Sequence, residues 1–162
     1  MAEPPVEYIR SITRQYAKLG YKPYTWVYNT DTPPWQPLRK PLAQSRLALV
    51  ASGGIYRRGQ IAFHSKDDTS LRLIPTDVRT EELRTSHFAY DQTDARRDPN
   101  VVFPIDTLRG LVREGLLGGL TEHAITFMGG IYSSRRVREE VAPTIAGYLE
   151  AERADIALLV PV

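Results

Sequence analysis

Three short apolar runs most constrain what this chain can fold into: Arg46–Ser52, Ala124–Met128 and Asp155–Val162. Each is strand length and apolar at successive positions, so it reads as a strand buried on both faces. The first two run into glycine pairs, Gly53-Gly54 and Gly129-Gly130. Helical periodicity fills the gaps between them. Asp106 reads as the N-cap of a helix over Thr107–Leu116, with Leu108, Leu111, Val112 and Leu116 on one face and Gly118-Gly119 as the stop. A second helix is expected over Ser134–Glu152, where Val137, Val141, Ile145 and Leu149 recur every four residues and Pro143 predicts a kink or a split. The order β-α-β-α-β predicts an α/β fold: a parallel sheet with helices on both faces, flavodoxin- or Rossmann-like. Residues 55–100 read as loop-rich, with one strand at Ser70–Ile74.

A different region precedes this body. Seven of the twelve prolines lie within residues 1–41. A helix is expected from Pro4 to Leu19, closed by Gly20. Residues 21–42 carry Tyr24, Trp26, Tyr28 and Trp35 among prolines, so they should be extended and pack over the body or a partner. The expectation is a single domain, residues 1–162, with a helix and Pro/aromatic-rich N-terminal arm over 1–42 and an α/β body over 43–162.

Composition removes several function classes. At 42% hydrophobic and 25% charged residues, the chain can build a core. No apolar run approaches the roughly 20 residues that span a bilayer, and no signal peptide is read at the N-terminus. The expected location is cytoplasmic. A net charge of +2 does not argue for nucleic acid, even with seven basic and three acidic residues in positions 1–46. Cysteine is absent, so the chain offers no disulfide, thiolate metal site or nucleophilic thiol of its own.

Candidate chemistry lies near the strand exits. Gly53-Gly54-Ile55-Tyr56 recurs as Gly129-Gly130-Ile131-Tyr132, and each copy is followed by arginines. Ligands of open α/β sheets bind beyond the C-terminal strand ends, where glycines let backbone N–H groups approach an anion. Ser52, Gly53 and Gly54 are therefore candidate substrate-binding residues. His87, Asp91, Asp94 and Asp98 share one face if residues 86–100 are helical. His87 with Asp91 is then a candidate acid–base pair, with Tyr90 beside it. Asp98 and Asn100 are further binding candidates. Arg72, on an apolar strand, needs a partner such as a substrate carboxylate. His64 and His123 read as solvated and boundary residues. There is no nucleotide-binding fingerprint and no metal-ligand spacing of known type.

Several motifs in order resemble one family: the selenoprotein B subunit of glycine, sarcosine and betaine reductases and the related subunit of D-proline reductase. They are Pro33-Pro34-Trp35 with Lys40-Pro41-Leu42, Ala48-Leu49-Val50 running into Ser52-Gly53-Gly54, Arg72 with Ile74-Pro75, and Ser86-His87 with Tyr90-Asp91. Asp98 with Asn100–Pro104, Glu114-Gly115 with Gly118, and Leu158–Val162 continue the series. The resemblance implies reductive cleavage of a carbon–nitrogen bond, or of a related carbon–sulfur or other carbon–heteroatom bond, with a selenocysteine or cysteine attacking the α-carbon and a pyruvoyl group on a companion subunit holding the substrate amine. The family's nucleophile follows a segment resembling Leu158–Val162. With no cysteine here, the resemblance implies a hetero-oligomer in which a Cys- or Sec-bearing partner subunit supplies the thiol or selenol and this chain binds a small carboxylate-bearing substrate. No cofactor or metal is expected in the chain itself. Two other readings stand beside it: a scaffold subunit that kept the fold, and a metal-dependent lyase or hydrolase using His87 and Asp91.

Overall fold

The computed structural model describes residues 7–23 and 28–162. Two compact units make up the chain, Met1–Gln36 and Pro37–Val162. In the first, helix α1 spans Tyr8–Lys18. Gly20, at φ +83°, donates its N–H to Ala17 O, and Tyr21 donates to Tyr16 O. That is the left-handed closure expected of a glycine after a helix. The expected start at Pro4, and Tyr24 and Trp26, lie outside the described residues. Residues 28–37 contain neither helix nor strand.

In the second unit the three apolar runs form strands within a residue or two of expectation: β1 (Arg46–Ala51), β6 (His123–Thr126) and β7 (Ile156–Val160). Strand β1 is central. Residues 47–51 pair in parallel with β7 on one side. On the other side Arg46–Leu47 pair with a short strand β5 (Gly119–Leu120), and Val50–Ala51 pair with β6, both parallel. In sequence order the parallel strands therefore lie 2-1-3. The sheet is mostly parallel, as expected of the α/β fold, with one antiparallel strand. Strand β3 (Arg72–Pro75) joins the outer side of β6 antiparallel, Arg72 opposite Thr126 and Pro75 opposite His123. No helix lies between β1 and β3 to carry the chain back for a parallel return, so β3 runs opposite to β1 and therefore to β6, which is parallel to β1. Strands β2 (Ile55–Arg57) and β4 (Leu83–Thr85) make a separate antiparallel ribbon within the segment expected to be mostly loop.

Helix α2 spans only Thr93–Arg97, and α3 spans Ile105–Arg113. The α3 boundaries differ from expectation at both ends. Asp106 lies inside the first turn, and its N–H donates to Asn100 Oδ1 at 3.0 Å. The helix stops at Gly115 (φ +72°), whose N–H bonds Val112 O. The second expected helix is one run of three parts: α4 (Ser134–Arg136), a π-helical turn at Val137–Val141, and α5 (Ala142–Ala151). Pro143 lacks the N–H for an i−4 bond, and the wide turn before it accommodates the missing donor.

Chain handedness places the layers. The path from β1 to β5–β6 moves one way along the sheet, and the path from β6 to β7 moves back across β1. Right-handed crossovers in opposite directions put their helices on opposite faces. On one face, Leu47, Leu49, Ala51 and Ala124 share a buried core with Phe103, Ile105 and Leu108. On the other, Val50 and Leu159 line a groove with Val141, Ile145 and Leu149. Burying Phe103, Leu49 and Ile105 nearly completely contributes roughly 1.5–3 kcal/mol each.

Candidate functional site at the C-terminal end of strand β1

The reversal of direction at β1 makes its C-terminal end a topological switch point, where open α/β sheets bind ligands. The residues there are Ser52, Gly53 and Gly54. The repeated Gly-Gly-Ile-Tyr segments meet at this place. Gly53 forms an isolated antiparallel bridge with Met128. Gly54 N–H donates to Phe127 O at 3.0 Å, and Gly129 N–H donates to Ser52 O at 2.9 Å. These two N–H groups thus lock the turns to each other. The Ser52 hydroxyl is differently placed: its Oγ accepts Val162 N–H at 3.0 Å, which leaves its proton to donate.

The β2–β4 ribbon returns the chain to this turn. Ser86 N–H bonds Gly54 O at 2.9 Å. Gly54 has φ +67°, and a Cβ there would lie 2.1 Å from Ser86 O, so both dihedral and packing demand glycine. Tyr90 OH donates to Gly53 O at 2.9 Å, and Thr85 Oγ1 reaches the same oxygen at 3.1 Å and Tyr90 OH at 3.0 Å. Gly53 O is thereby held by two hydroxyls.

His87 packs into the same corner. Its ring lies 4.8 Å from that of Tyr90 and 5.8 Å from that of Phe88. Nδ1 accepts Ala89 N–H at 3.0 Å. A backbone N–H can only donate, so the neutral ring carries its hydrogen on Nε2. Nε2 is buried without a hydrogen-bond partner. Burial pushes the imidazole below its ordinary pKa, since the charged form loses solvation. Phe88 closes over Gly130, where a Cβ would sit 2.3 Å from the Phe88 ring, and Phe88 stacks on Tyr132 at 6.2 Å.

The remaining sequence candidates lie elsewhere. Residues 86–92 are not helical, so His87, Asp91, Asp94 and Asp98 do not share a helix face, which corrects that expectation. Asp91 accepts Thr93 N–H and the Thr93 hydroxyl, at 2.9 and 2.6 Å, at the start of α2; these bonds hold its carboxyl below the usual range. Asp98 accepts the backbone and side-chain N–H groups of Asn100, each at 2.9 Å. Asn100 also bonds Asp106, whose carboxyl is lowered chiefly by that contact. These bonds end α2 after five residues and start α3. Arg72 stands in the same row of the sheet as Ala51, through Thr126. Its guanidinium donates to Ile61 O, Ser70 Oγ and Leu71 O and lies 4.3 Å over Phe63. Among the described residues no group of three or more His, Asp or Glu gathers as a metal site, and no helix is long and apolar enough to cross a membrane.

The structure thus brings together Gly53, Gly54, His87 and Tyr90, whereas Ser52, the residue before them, lines the apolar groove beside Val141 and Leu159. Thr85, Met128 and Phe88 belong to the same corner and were not singled out from sequence; the repeat of Gly-Gly-Ile-Tyr was the signal pointing to Met128.

Residues 18–161 match the family model described as glycine/sarcosine/betaine reductase selenoprotein B (GRDB). The chain belongs to this family. It is 36% identical over 140 residues to the D-proline reductase subunit gamma of Acetoanaerobium sticklandii, covering 86% of this chain and 58% of that relative. It is 30% identical over 151 residues to the glycine reductase complex component B subunit gamma of Symbiobacterium thermophilum, covering 86% of this chain and 35% of the relative. A betaine reductase complex component B subunit beta of Peptoclostridium acidaminophilum is 31% identical over 99 residues, 56% of this chain and 22% of the relative. The chain therefore spans about half or less of the length of these relatives. No solved structure matches it. The family match covers β1, the glycine turn and the His87–Tyr90 segment.

Proposed function

We propose that the chain is a subunit of a heteromeric reductase of the selenoprotein B and D-proline reductase type. Its part is to bind a small carboxylate-bearing substrate at the C-terminal end of β1 for reductive cleavage of a carbon–nitrogen bond. The observation that carries this reading is the convergence of the paired glycine turns, Tyr90 and His87, with Ser52 next in the chain, at the switch point of a family-matched sheet. A thiol or selenol of a partner subunit would supply the nucleophile, and a pyruvoyl group on a companion subunit would hold the substrate amine.

What this chain contributes is position and proton placement. Ser52 Oγ–H is the donor available to a substrate carboxylate. Tyr90 and Thr85 pin Gly53 O, which fixes the turn that presents Ser52. His87, neutral with a hydrogen on Nε2, holds a donor that needs an acceptor; a carboxylate or a departing amine near the turn meets that need after a small ring shift. Asp91, Arg72, Asp98 and Asn100 act in this account as supports of the surrounding loops.

The test is co-purification with the product of a neighbouring gene, followed by assay of the mixture on D-proline, glycine, sarcosine and betaine with a dithiol reductant. Turnover should appear only in the mixture, and His87→Ala should reduce it about 100-fold. A persistent lone monomer with no partner would sink the reading. Unchanged turnover in His87→Ala and Arg72→Ala would instead make the chain a scaffold.

A further inference from the structure

A cavity of about 450 Å³ opens at the other end of the sheet from the glycine turns, where β1, β5 and β7 begin. The six residues of β1, at about 3.3 Å each, set it roughly 20 Å from Ser52. Its volume is that of a small-molecule pocket, which runs about 300–1,000 Å³. Lys40, Arg46 and Arg153 line it, and Asp155 is the one acidic side chain in its lining. The Asp155 carboxylate is already engaged: Oδ2 accepts Arg46 N–H at 2.8 Å and pairs with Lys40 Nζ at 2.7 Å. These contacts hold its carboxyl below the usual range, so it stays charged at neutral pH. Arg46 Nη1 donates to Glu152 O at 3.2 Å, which leaves Nε and Nη2 to donate elsewhere. The Glu152 carboxylate itself is bonded to His123 through both oxygens.

Arg153 stands where the fold otherwise uses glycine. Helices α1, α3 and α5 end in the same pair of backbone bonds. After α1 and α3 the turning residues are Gly20 and Gly115, at φ +83° and +72°, bonded to Ala17 O and Val112 O. After α5 that position is Arg153, at φ +54°. Its N–H bonds Glu150 O at 3.0 Å, and Ala154 N–H bonds Leu149 O at 2.9 Å. Such a conformation favours glycine and strains an L side chain. Residues strained in this way cluster at ligand-binding and active sites. Among the described residues the Arg153 guanidinium has no hydrogen bond or ion pair, whereas Arg135 and Arg136 pair with Glu139 and Glu140. Three cations against one carboxylate leave two positive charges uncompensated in the cavity.

We propose that this cavity binds a phosphoryl group, either inorganic phosphate or a small phosphate monoester. A phosphate dianion matches the two uncompensated charges, which a single carboxylate does not. The guanidinium forks of Arg46 and Arg153 are each suited to a pair of its oxygens, and Lys40 adds a point charge. Bound there, the anion ties residues 40–46 to the turn between α5 and β7. The site lies away from the corner at Ser52–Gly54 and does not depend on the reductase reading.

The test titrates the full 162-residue chain calorimetrically with inorganic phosphate, with glycerol phosphate and with acetate, at about pH 8, where the phosphates are dianions. The expected Kd for at least one phosphate is below about 1 mM, with acetate at least about tenfold weaker. The tighter of the two phosphates names the source of the group. Saturating phosphate should also raise the Tm, since it binds only the folded chain. Arg153→Gly separates binding from folding. Glycine relieves the left-handed turn, so this variant should melt within about 2 °C of wild type or above it. It should nevertheless bind phosphate at least about tenfold more weakly, through loss of charge-assisted hydrogen bonds. Arg135→Ala, on α4, should bind as wild type does. No binding up to about 10 mM phosphate, acetate held as tightly as phosphate, or full affinity in a folded Arg153→Gly overturns the proposal. None of these readouts involves turnover.

Discussion

Replacing Gly54 by Ala tests the corner on which the site is built. Gly54 has φ +67°, and a Cβ there would meet Ser86 O at 2.1 Å and the Ser86 carbonyl carbon at 2.9 Å. The left-handed conformation alone costs an L-residue about 1–2 kcal/mol. The contact is with backbone, so no side chain can swing away. To relieve it, the turn must move off Ser86, which loosens Ser86 N–H to Gly54 O and Gly54 N–H to Phe127 O. Each such bond contributes about 1 kcal/mol. The loss sums to about 3–4 kcal/mol, or a Tm lower by about 10 °C for a domain of this size. Gly59→Ala is the matched control: its φ is +94°, with nothing within 4 Å of the added Cβ. It carries only the dihedral cost of about 1–2 kcal/mol. Thermal unfolding followed by circular dichroism reads both. If Gly54→Ala melts within about 2 °C of Gly59→Ala, the Ser86 carbonyl does not press on this turn and the description of the corner is wrong.

Three further outcomes follow from the same contacts. Tyr90→Phe removes the hydroxyl that donates to Gly53 O and should cost about 1 kcal/mol in chemical denaturation; an unchanged midpoint would mean that Thr85 alone holds the turn. His87 sits below its ordinary pKa because of burial, so between the folded and unfolded values the unfolded chain binds the extra proton. Stability is full above about pH 6.5 and falls as pH drops below it, with the loss complete below the folded value; His87→Gln should flatten that segment of a denaturation-versus-pH curve. Glu152, below its usual value despite burial because His123 bonds it through backbone and ring, the ring at 2.7 Å, contributes in a lower window. Its stabilisation is present above about pH 4.5 and is lost as pH falls through its folded value, and Glu152→Gln should remove only that component.

The main strands were legible because both-face burial leaves continuous apolar runs, as in Arg46–Ala51 and Ile156–Val160. The antiparallel entry of β3 was not, since Arg72–Pro75 reads alike in either direction and only its position beside β6 decides it. The β2–β4 ribbon was missed because strands of three residues carry too little periodicity to register. The glycine pairs pointed to the correct end of β1, yet the meeting of His87 and Tyr90 with Gly53 depends on that ribbon and leaves no local trace. The spacing of Asp91, Asp94 and Asp98 misled for a physical reason. Asp91 and Asp98 bond the backbone two residues on, at Thr93 and Asn100, and such turns compete with helix at both ends of the segment. The expected kink at Pro143 is accommodated by the π-helical turn before it.

The central claim is that the corner of Ser52, Gly53, His87 and Tyr90 serves a substrate whose nucleophile comes from a partner. It is tested most directly by titrating D-proline, glycine, sarcosine and betaine into the assembled complex and comparing wild type with Ser52→Ala. The account predicts that Ser52→Ala raises KM for the accepted substrate about tenfold or more, through loss of a charge-assisted hydrogen bond, with the complex still assembled. An unchanged KM in an intact complex would contradict it and place the substrate elsewhere.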